Sequence, residues 1–170
     1  SCGGRPWLRA LVLPLLACSC DRLRGPHDRG VRYLNAGRYA DAANAFGEAI
    51  EKAAAAGDTT AEAIGYANRC YANDMLGEQD RAVADCTRSL ELVPDDAEVI
   101  NNRAVAYLNK GLLDEAEADL DRAIELGPDY AAAYANRGRM WLEREDFERA
   151  LEDLDEAIEL DPGLAQAYAN

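Results

Sequence analysis

The chain has 170 residues, 49% of them apolar, and is long enough to bury the core of one elongated domain. Its formal net charge is −14, distributed unevenly: residues 1–38 carry +5 and residues 39–170 carry −19. This acidic balance argues against nucleic-acid binding, which needs basic side chains facing phosphates. It is compatible with a basic protein partner, or simply with a well-solvated surface.

Residues 1–24 differ in composition from the rest of the chain. Arg5 and Arg9 precede or enter an apolar run at residues 7–17, and Cys18-Ser19-Cys20 comes next. A basic start, a short apolar run and a small-residue exit are the parts of a secretion signal. The run is too short for a transmembrane helix, which needs about 20 residues. We therefore expect export to a bacterial periplasm or its membrane; the alternative is a disordered leader on a cytoplasmic protein.

The segment Leu15-Leu16-Ala17-Cys18 resembles a bacterial lipobox, in which the cysteine is lipidated and becomes the mature N-terminus. This resemblance implies lipidation at Cys18 and a membrane tether, with Cys20 as a competing acceptor.

Helical patterns come in pairs after the leader. The first pair is predicted at residues 27–35 and 39–56, before a break at Gly57-Asp58. Thr59 and Glu62 have capping-box spacing, which predicts a helix from about residue 60 to residue 75. Asp95 and Glu98 predict the start of a later helix at residues 96–109.

An internal repeat of 34 residues organises the remaining chain, since residues 97–128 match residues 131–162. Asn102-Arg103-Ala104 aligns with Asn136-Arg137-Gly138, and Ile124-Glu125-Leu126 aligns with Ile158-Glu159-Leu160. Third and fourth copies lie upstream, with about six residues inserted between them, and a fifth opens near residue 165. Repeats of this length are typical of stacked helical hairpins, in which each hairpin covers the apolar flank of the one before.

The chain resembles the tetratricopeptide-repeat family over roughly residues 27–170. The resemblance implies an all-α, right-handed superhelical solenoid of antiparallel helix hairpins within residues 25–170. Its repeats would lie at about 25–56, 60–94, 97–128 and 131–162, with a partial fifth from 165. It also implies a scaffold that binds a peptide or helix segment of another protein in its concave groove.

Asparagine recurs every 34 residues at positions 68, 102, 136 and 170. By the family's packing these residues would lie on the concave face, similar to the asparagine ladder of the O-linked N-acetylglucosamine transferases, where carboxamides hold a peptide backbone. The alternative is that each side chain only faces water. The predicted groove residues are Asn68, Tyr71, Met75, Asn102, Val105, Asn109, Asn136, Arg139 and Asn170. The carboxylate clamp of some relatives is absent, because its basic positions hold Ile64, Glu98 and Ala132.

Two further patterns concern the scaffold. Arginine follows the asparagines at positions 68, 102 and 136, and an aspartate recurs sixteen residues after each arginine. This spacing predicts structural ion pairs between helices: Arg69, Arg103 and Arg137 with Asp85, Asp119 and Asp153.

Cys70 and Cys86 fall at positions that face each other within one hairpin in the other copies. They are expected to form a disulfide if the chain is exported, and to be two buried thiols in a reducing compartment.

Signals for catalysis are weak. His27 is the single histidine, and the sequence has neither a phosphate-binding glycine loop nor cysteines at zinc-site spacing. We therefore expect a non-catalytic scaffold without a metal or cofactor. Two alternatives are a self-associating structural protein, which leaves the oligomeric state open, and the regulatory repeat arm of a larger enzyme.

Overall fold

A computed structural model describes residues 24–163, and within that range the chain forms α-helices and no strands. The helices are α1 Arg24–Asn35, α2 Tyr39–Ala56, α3 Thr59–Leu76, α4 Gln79–Leu92, α5 Ala97–Lys110, α6 Leu113–Leu126, α7 Ala131–Glu143 and α8 Phe147–Leu160. They pair as four antiparallel hairpins in chain order, which confirms the predicted all-α solenoid. The insertion of about six residues lengthens α2 and α3 to 18 residues each, against 14 in α4, α5 and α6. The turn that joins α2 to α3 has two residues, whereas the turn that joins α4 to α5 has four.

Each hairpin packs on its sequence neighbours. The first helices of successive hairpins also touch, α3 with α5 and α5 with α7, so these helices form one continuous inner face. The core consists of clusters that span neighbouring helices. In one cluster Tyr130 and Ala133, at the start of α7, pack with Ala123, Ile124 and Leu126 of α6. This contact covers the apolar flank of the third hairpin.

Small residues set the spacing within hairpins. A methyl group placed on Gly30 would lie 2.6 Å from Phe46 of α2, and one on Gly138 would lie 2.8 Å from Leu154 of α8. These glycines therefore let α1 and α7 approach their partners closely, because a large apolar side chain fills the space that a Cβ would take.

Acidic caps start several helices. The Asp58 carboxylate accepts a hydrogen bond from the Ala61 amide (2.9 Å), so the cap of α3 is Asp58 and not the expected Thr59, which is already the first helical residue. Asp96 caps α5 in the same way, accepting from the amides of Glu98 and Val99. An aspartate side chain accepts hydrogen bonds from the free amides of the first turn, and its negative charge interacts favourably with the positive end of the helix dipole.

Glycine in the left-handed conformation ends the first helix of three hairpins, and Gly111 (φ 74°) is the example in the third. The fourth hairpin has Glu145 at this position with φ 61°, a conformation that strains a residue with a Cβ atom.

Candidate functional site

The inner face formed by α3, α5 and α7 carries a chain of polar side chains that crosses three hairpins. Asn109 Nδ2 donates to Asp74 Oδ1 (2.8 Å), and Arg139 Nη2 donates to Asn109 Oδ1 (3.1 Å). Arg139 Nε also donates to Glu143 Oε1 (3.1 Å). We call Asp74, Asn109, Arg139 and Glu143 the groove chain; Asn109 and Arg139 remain partly accessible.

The repeat register explains part of this arrangement. Asn109 and Glu143 occupy the position of Met75 in successive copies, near the C-terminal end of each first helix. The predicted groove residues Asn109 and Arg139 are thus brought together. Asp74 was missed, because the same position holds Leu108 and Leu142 in the next two copies and so shows no polar pattern.

Accessible side chains lie beside the groove chain. Tyr71 and Met75 are partly buried, and Leu142 is 45% exposed although it is apolar. Burial raises the pKa of Tyr71 to about 12, helped by nearby Tyr39 and Asp74, so its hydroxyl stays protonated at neutral pH. This set combines an apolar surface with hydrogen-bonding groups.

The three described asparagines of the predicted ladder are buried. Asn136 is 1% exposed, and its Nδ2 donates to Asn101 Oδ1 (2.9 Å). Asn68 Nδ2 donates to the Ile64 carbonyl (3.1 Å) and lies 3.2 Å from His27 Nε2.

These contacts join neighbouring first helices, so the carboxamides of Asn68 and Asn136 are occupied within the protein instead of forming an open ladder. Val105 is also enclosed, at 1% exposure, and packing between successive helices leaves a peptide no access to it. Asn170 and Cys18 lie outside the described residues.

Glu98, one of the positions that lack a basic clamp residue, is partly buried at the start of α5. Burial, together with the nearby Asp96 carboxylate, raises the pKa of Glu98 to about 7. Burial also raises the pKa of Tyr130, with contributions from the Glu98 and Asp96 charges. Glu98 is an acidic residue at a position where a carboxylate clamp would need a basic one.

The predicted ion pairs are present in all three copies and are bidentate. Arg103 donates from Nε and Nη2 to Asp119 at 2.7 and 2.8 Å. Its Nη1 also reaches Thr87 Oγ1 of the preceding hairpin (3.3 Å). Each of the three guanidinium groups therefore joins the two helices of its hairpin, as expected for a scaffold residue.

Cys70 and Cys86 face each other between α3 and α4, with Cα atoms 5.4 Å apart and sulfur atoms at 2.07 Å. Both side chains are fully buried.

Across residues 24–163, no group of three or more His, Cys, Asp or Glu side chains is arranged to hold a metal ion. Over the same range, no helix combines the length and apolar character that crossing a bilayer requires.

Comparison with known proteins identifies the family. The tetratricopeptide-repeat profile matches residues 76–129 and 101–165, which together span more than half of the chain. The chain belongs to the tetratricopeptide-repeat family. Tetratricopeptide-repeat proteins are generally non-catalytic interaction scaffolds.

Among curated proteins, the chain is similar to the mitochondrial import receptor subunit TOM70 of Homo sapiens, with 29% identity over 89 residues. The matched segment covers 52% of this chain but 14% of the receptor. The TOM70 proteins of Rattus norvegicus and Mus musculus match to the same extent.

Solved tetratricopeptide structures share the fold. The crystal structure of MamA has a TM-score of 0.70 at 21% identity, covering 87% of this chain and 83% of MamA. YrrB, described as having an unusual peptide-binding site, has a TM-score of 0.67 at 24% identity, covering 87% and 73%. The second tetratricopeptide domain of human RPAP3, in complex with an HSP70 peptide, has a TM-score of 0.61 at 24% identity, covering 68% and 91%. Identities at this level establish the fold alone.

Proposed function

We propose that this tetratricopeptide-repeat chain is a non-catalytic scaffold that binds a peptide or helix segment of another protein on its inner face. The observation that carries the proposal is the groove chain, a row of hydrogen-bonded polar groups across three hairpins with exposed Leu142 beside it. A surface that offers both polar groups and an exposed apolar side chain suits an amphipathic helix or a mixed peptide.

In this proposal, polar and apolar side chains of the inner face contact different parts of the bound segment. Arg139 uses two of its five N–H donors on Asn109 and Glu143, which leaves donors for the carbonyl groups of a bound backbone. Leu142, Met75 and Tyr71 supply the apolar contacts that select side chains. The asparagine series contributes only indirectly in this proposal, because its side chains fix the spacing of the first helices on which the ligand lies.

The charge of the chain favours a basic partner segment. The repeat domain is strongly acidic, and Glu143 of the groove chain is an exposed carboxylate. Opposite charges speed encounter and select against acidic segments, although they add less to the final affinity.

Site-specific photo-crosslinking tests this proposal. A photoreactive amino acid replaces Leu142 on the inner face, and the matched control carries it at Ala118, an exposed position on α6. The expected result is a discrete adduct with the same partner from position 142 but not from position 118, lost when Arg139 is changed to Glu. Equal adducts at both positions, or none at position 142, would refute binding on the inner face.

The proposed setting is outside the cytoplasm, in the periplasm or anchored to a membrane through Cys18. Two features support it: the signal-like order of residues 1–20, and the placement of Cys70 and Cys86 at bonding distance. Fractionation of cells that express the full chain tests this idea, with Cys18→Ala as the comparison. Membrane association that persists unchanged in the variant would rule out Cys18 as the anchor, and recovery in the cytoplasm would rule out export.

A further inference from the structure

Glu98 lies in the first turn of α5, on the inner face of the solenoid. Residues 98, 102, 105 and 109 follow the spacing of one side of a helix, so Glu98 shares its side of α5 with Asn109 of the groove chain. Helix α5 contacts both α3 and α7. Glu98 therefore lies between two neighbouring first helices, and it remains partly accessible there.

The carboxylate of Glu98 has no partner among the residues that the structure describes. No Arg or Lys of residues 24–163 pairs with it, and it accepts no hydrogen bond within that range. The cap of α5 is the Asp96 side chain, which accepts from the amides of Glu98 and Val99. Burial and the Asp96 charge raise the pKa of Glu98 to about 7, because a partly buried charge without a counter-ion is unfavourable.

The neighbouring copies show that the scaffold needs no acid at this position. The equivalent residues are Ile64 in α3 and Ala132 in α7, and both are partly buried. An apolar side chain therefore satisfies the packing of this row, whereas an uncompensated carboxylate costs free energy on folding. A positive charge supplied by another molecule would offset that cost.

Tyr130, at the start of α7, lies close enough to Glu98 for the two to interact electrostatically. Its hydroxyl oxygen accepts a hydrogen bond from Asn101 Nδ2 (3.4 Å). Burial and the Glu98 and Asp96 charges raise the pKa of Tyr130, so its hydroxyl stays protonated. A carboxylate beside an aromatic ring suits a basic side chain, because a cation is attracted both by the negative charge and by the face of the ring.

The distribution of charge makes Glu98 distinctive on the inner face. It is the single acid of α5, whereas the second helices α6 and α8 each contain six acidic residues. Most of the negative charge of the last two hairpins thus lies on their second helices. Recognition of a basic residue on the inner side of α5 would depend on this one carboxylate.

We propose that Glu98, beside Tyr130, is the position at which the inner face binds a lysine or arginine side chain of its partner segment. This inference rests on the proposed function and adds to it the place where a basic residue is recognised. The incoming cation forms a charge-assisted hydrogen bond with a carboxylate that lacks one inside residues 24–163.

Random peptides displayed on phage are the probe that tests this inference. Peptides are selected on the full chain and kept if they crosslink to the photoreactive residue at position 142, which limits the set to inner-face binders. We expect them to share a Lys or Arg at one aligned position. Changing that residue to Gln should weaken binding to the wild-type chain about tenfold and leave binding to Glu98→Gln unchanged.

Charge reversal and a matched control complete the design. Glu98→Lys should prefer peptides whose shared basic residue has been changed to Glu. Glu115→Gln, which makes the same change as Glu98→Gln at an exposed position of α6, should bind the selected peptides as the wild type does. Urea unfolding should show Glu98→Gln to be at least as stable as the wild type, because the substitution breaks no internal contact.

Three outcomes would overturn the inference while leaving binding on the inner face intact. They are a destabilised Glu98→Gln variant, crosslinked peptides that share no basic residue, and an equal loss from the Lys-to-Gln or Arg-to-Gln peptide change against both proteins. If no selected peptide crosslinks to position 142, the proposed function is refuted, and this inference with it.

Discussion

Arg137 binds Asp153 through two hydrogen bonds, from Nε to Oδ2 at 2.8 Å and from Nη2 to Oδ1 at 2.7 Å. The same guanidinium reaches Asp121 in the preceding hairpin, so one side chain connects α6, α7 and α8. Hydrogen bonding to Asp153 raises the pKa of Arg137 above its usual value, so the arginine stays charged. This relationship recurs through the solenoid and leads to a first prediction on stability.

Replacing Asp119 with Ala should lower the free energy of unfolding by about 3 kcal/mol, because it leaves the partly buried Arg103 charge without its bidentate partner. Urea unfolding measures this change. The control is Glu91→Ala, which removes an exposed partner of Arg88 and should cost much less, because water screens an exposed pair. Equal losses in the two variants would show that the Arg–Asp pairs contribute no more than a surface pair.

Reduction of the Cys70–Cys86 bond should destabilise the protein by about 3 kcal/mol, since the bond closes a loop of roughly 16 residues in the unfolded chain. Urea unfolding with and without reductant measures the loss. A Cys70→Ala, Cys86→Ala variant should unfold identically under both conditions. Alkylation of protein purified without reductant, followed by mass measurement, checks the bond itself, and two free thiols would contradict it.

His27 should make stability depend on pH. Burial lowers its pKa below the usual 6.5, and the nearby Asp28 opposes this only in part. Protonation of His27 is therefore less favourable in the native state than in the unfolded state. The stability that neutral His27 contributes is complete above about pH 6.5 and declines as the pH falls through the lower native pKa.

The measurement is the free energy of unfolding from about pH 7.5 down to about pH 5. His27→Gln serves as the control, because it keeps a polar side chain near Asn68 without this titration. As the single histidine of the chain, His27 can also be titrated directly by NMR. A native pKa at or above 6.5, or identical pH profiles for the two proteins, would refute the prediction.

Glu145→Gly should stabilise the protein by about 1 kcal/mol. The left-handed conformation at φ 61° is energetically unfavourable for a residue with a Cβ atom and nearly neutral for glycine. Glu156→Gly, at an exposed position in the interior of α8, should destabilise by about 1 kcal/mol through lost helix propensity. Thermal unfolding of both variants checks the opposite signs. A loss of stability in Glu145→Gly would show that its side chain contributes more than the strain removes.

Much of the scaffold could be predicted from the repeat pattern. Residues 34 positions apart face the same surroundings, so the small residue Gly138 opposite Leu154 and the pairing of Arg103 with Asp119 follow once the register is known. Glu145 shows the limit of this reasoning, since it adopts the backbone conformation that Gly111 has one copy earlier despite the change of residue type.

The candidate site was predicted only in part. Asn109 and Arg139 do meet on the inner face, but Asn136 is enclosed beside Asn101 of the preceding first helix. Periodicity shows that equivalent residues share a face, yet it does not show how tightly neighbouring hairpins pack on that face. Accessibility therefore differs among residues that look alike in the sequence.

The sequence by itself determined the number and register of the hairpins, the polarity of their faces and the ion pairs within them, because these depend on spacing within about one repeat. Only the tertiary structure decided which inner-face side chains remain accessible and which are used between hairpins, as in the Asp74–Asn109–Arg139 chain and the contact of His27 with Asn68. The physical reason is that these contacts join residues 30 or more positions apart, so they depend on the rotation and separation of successive hairpins, which no local pattern encodes.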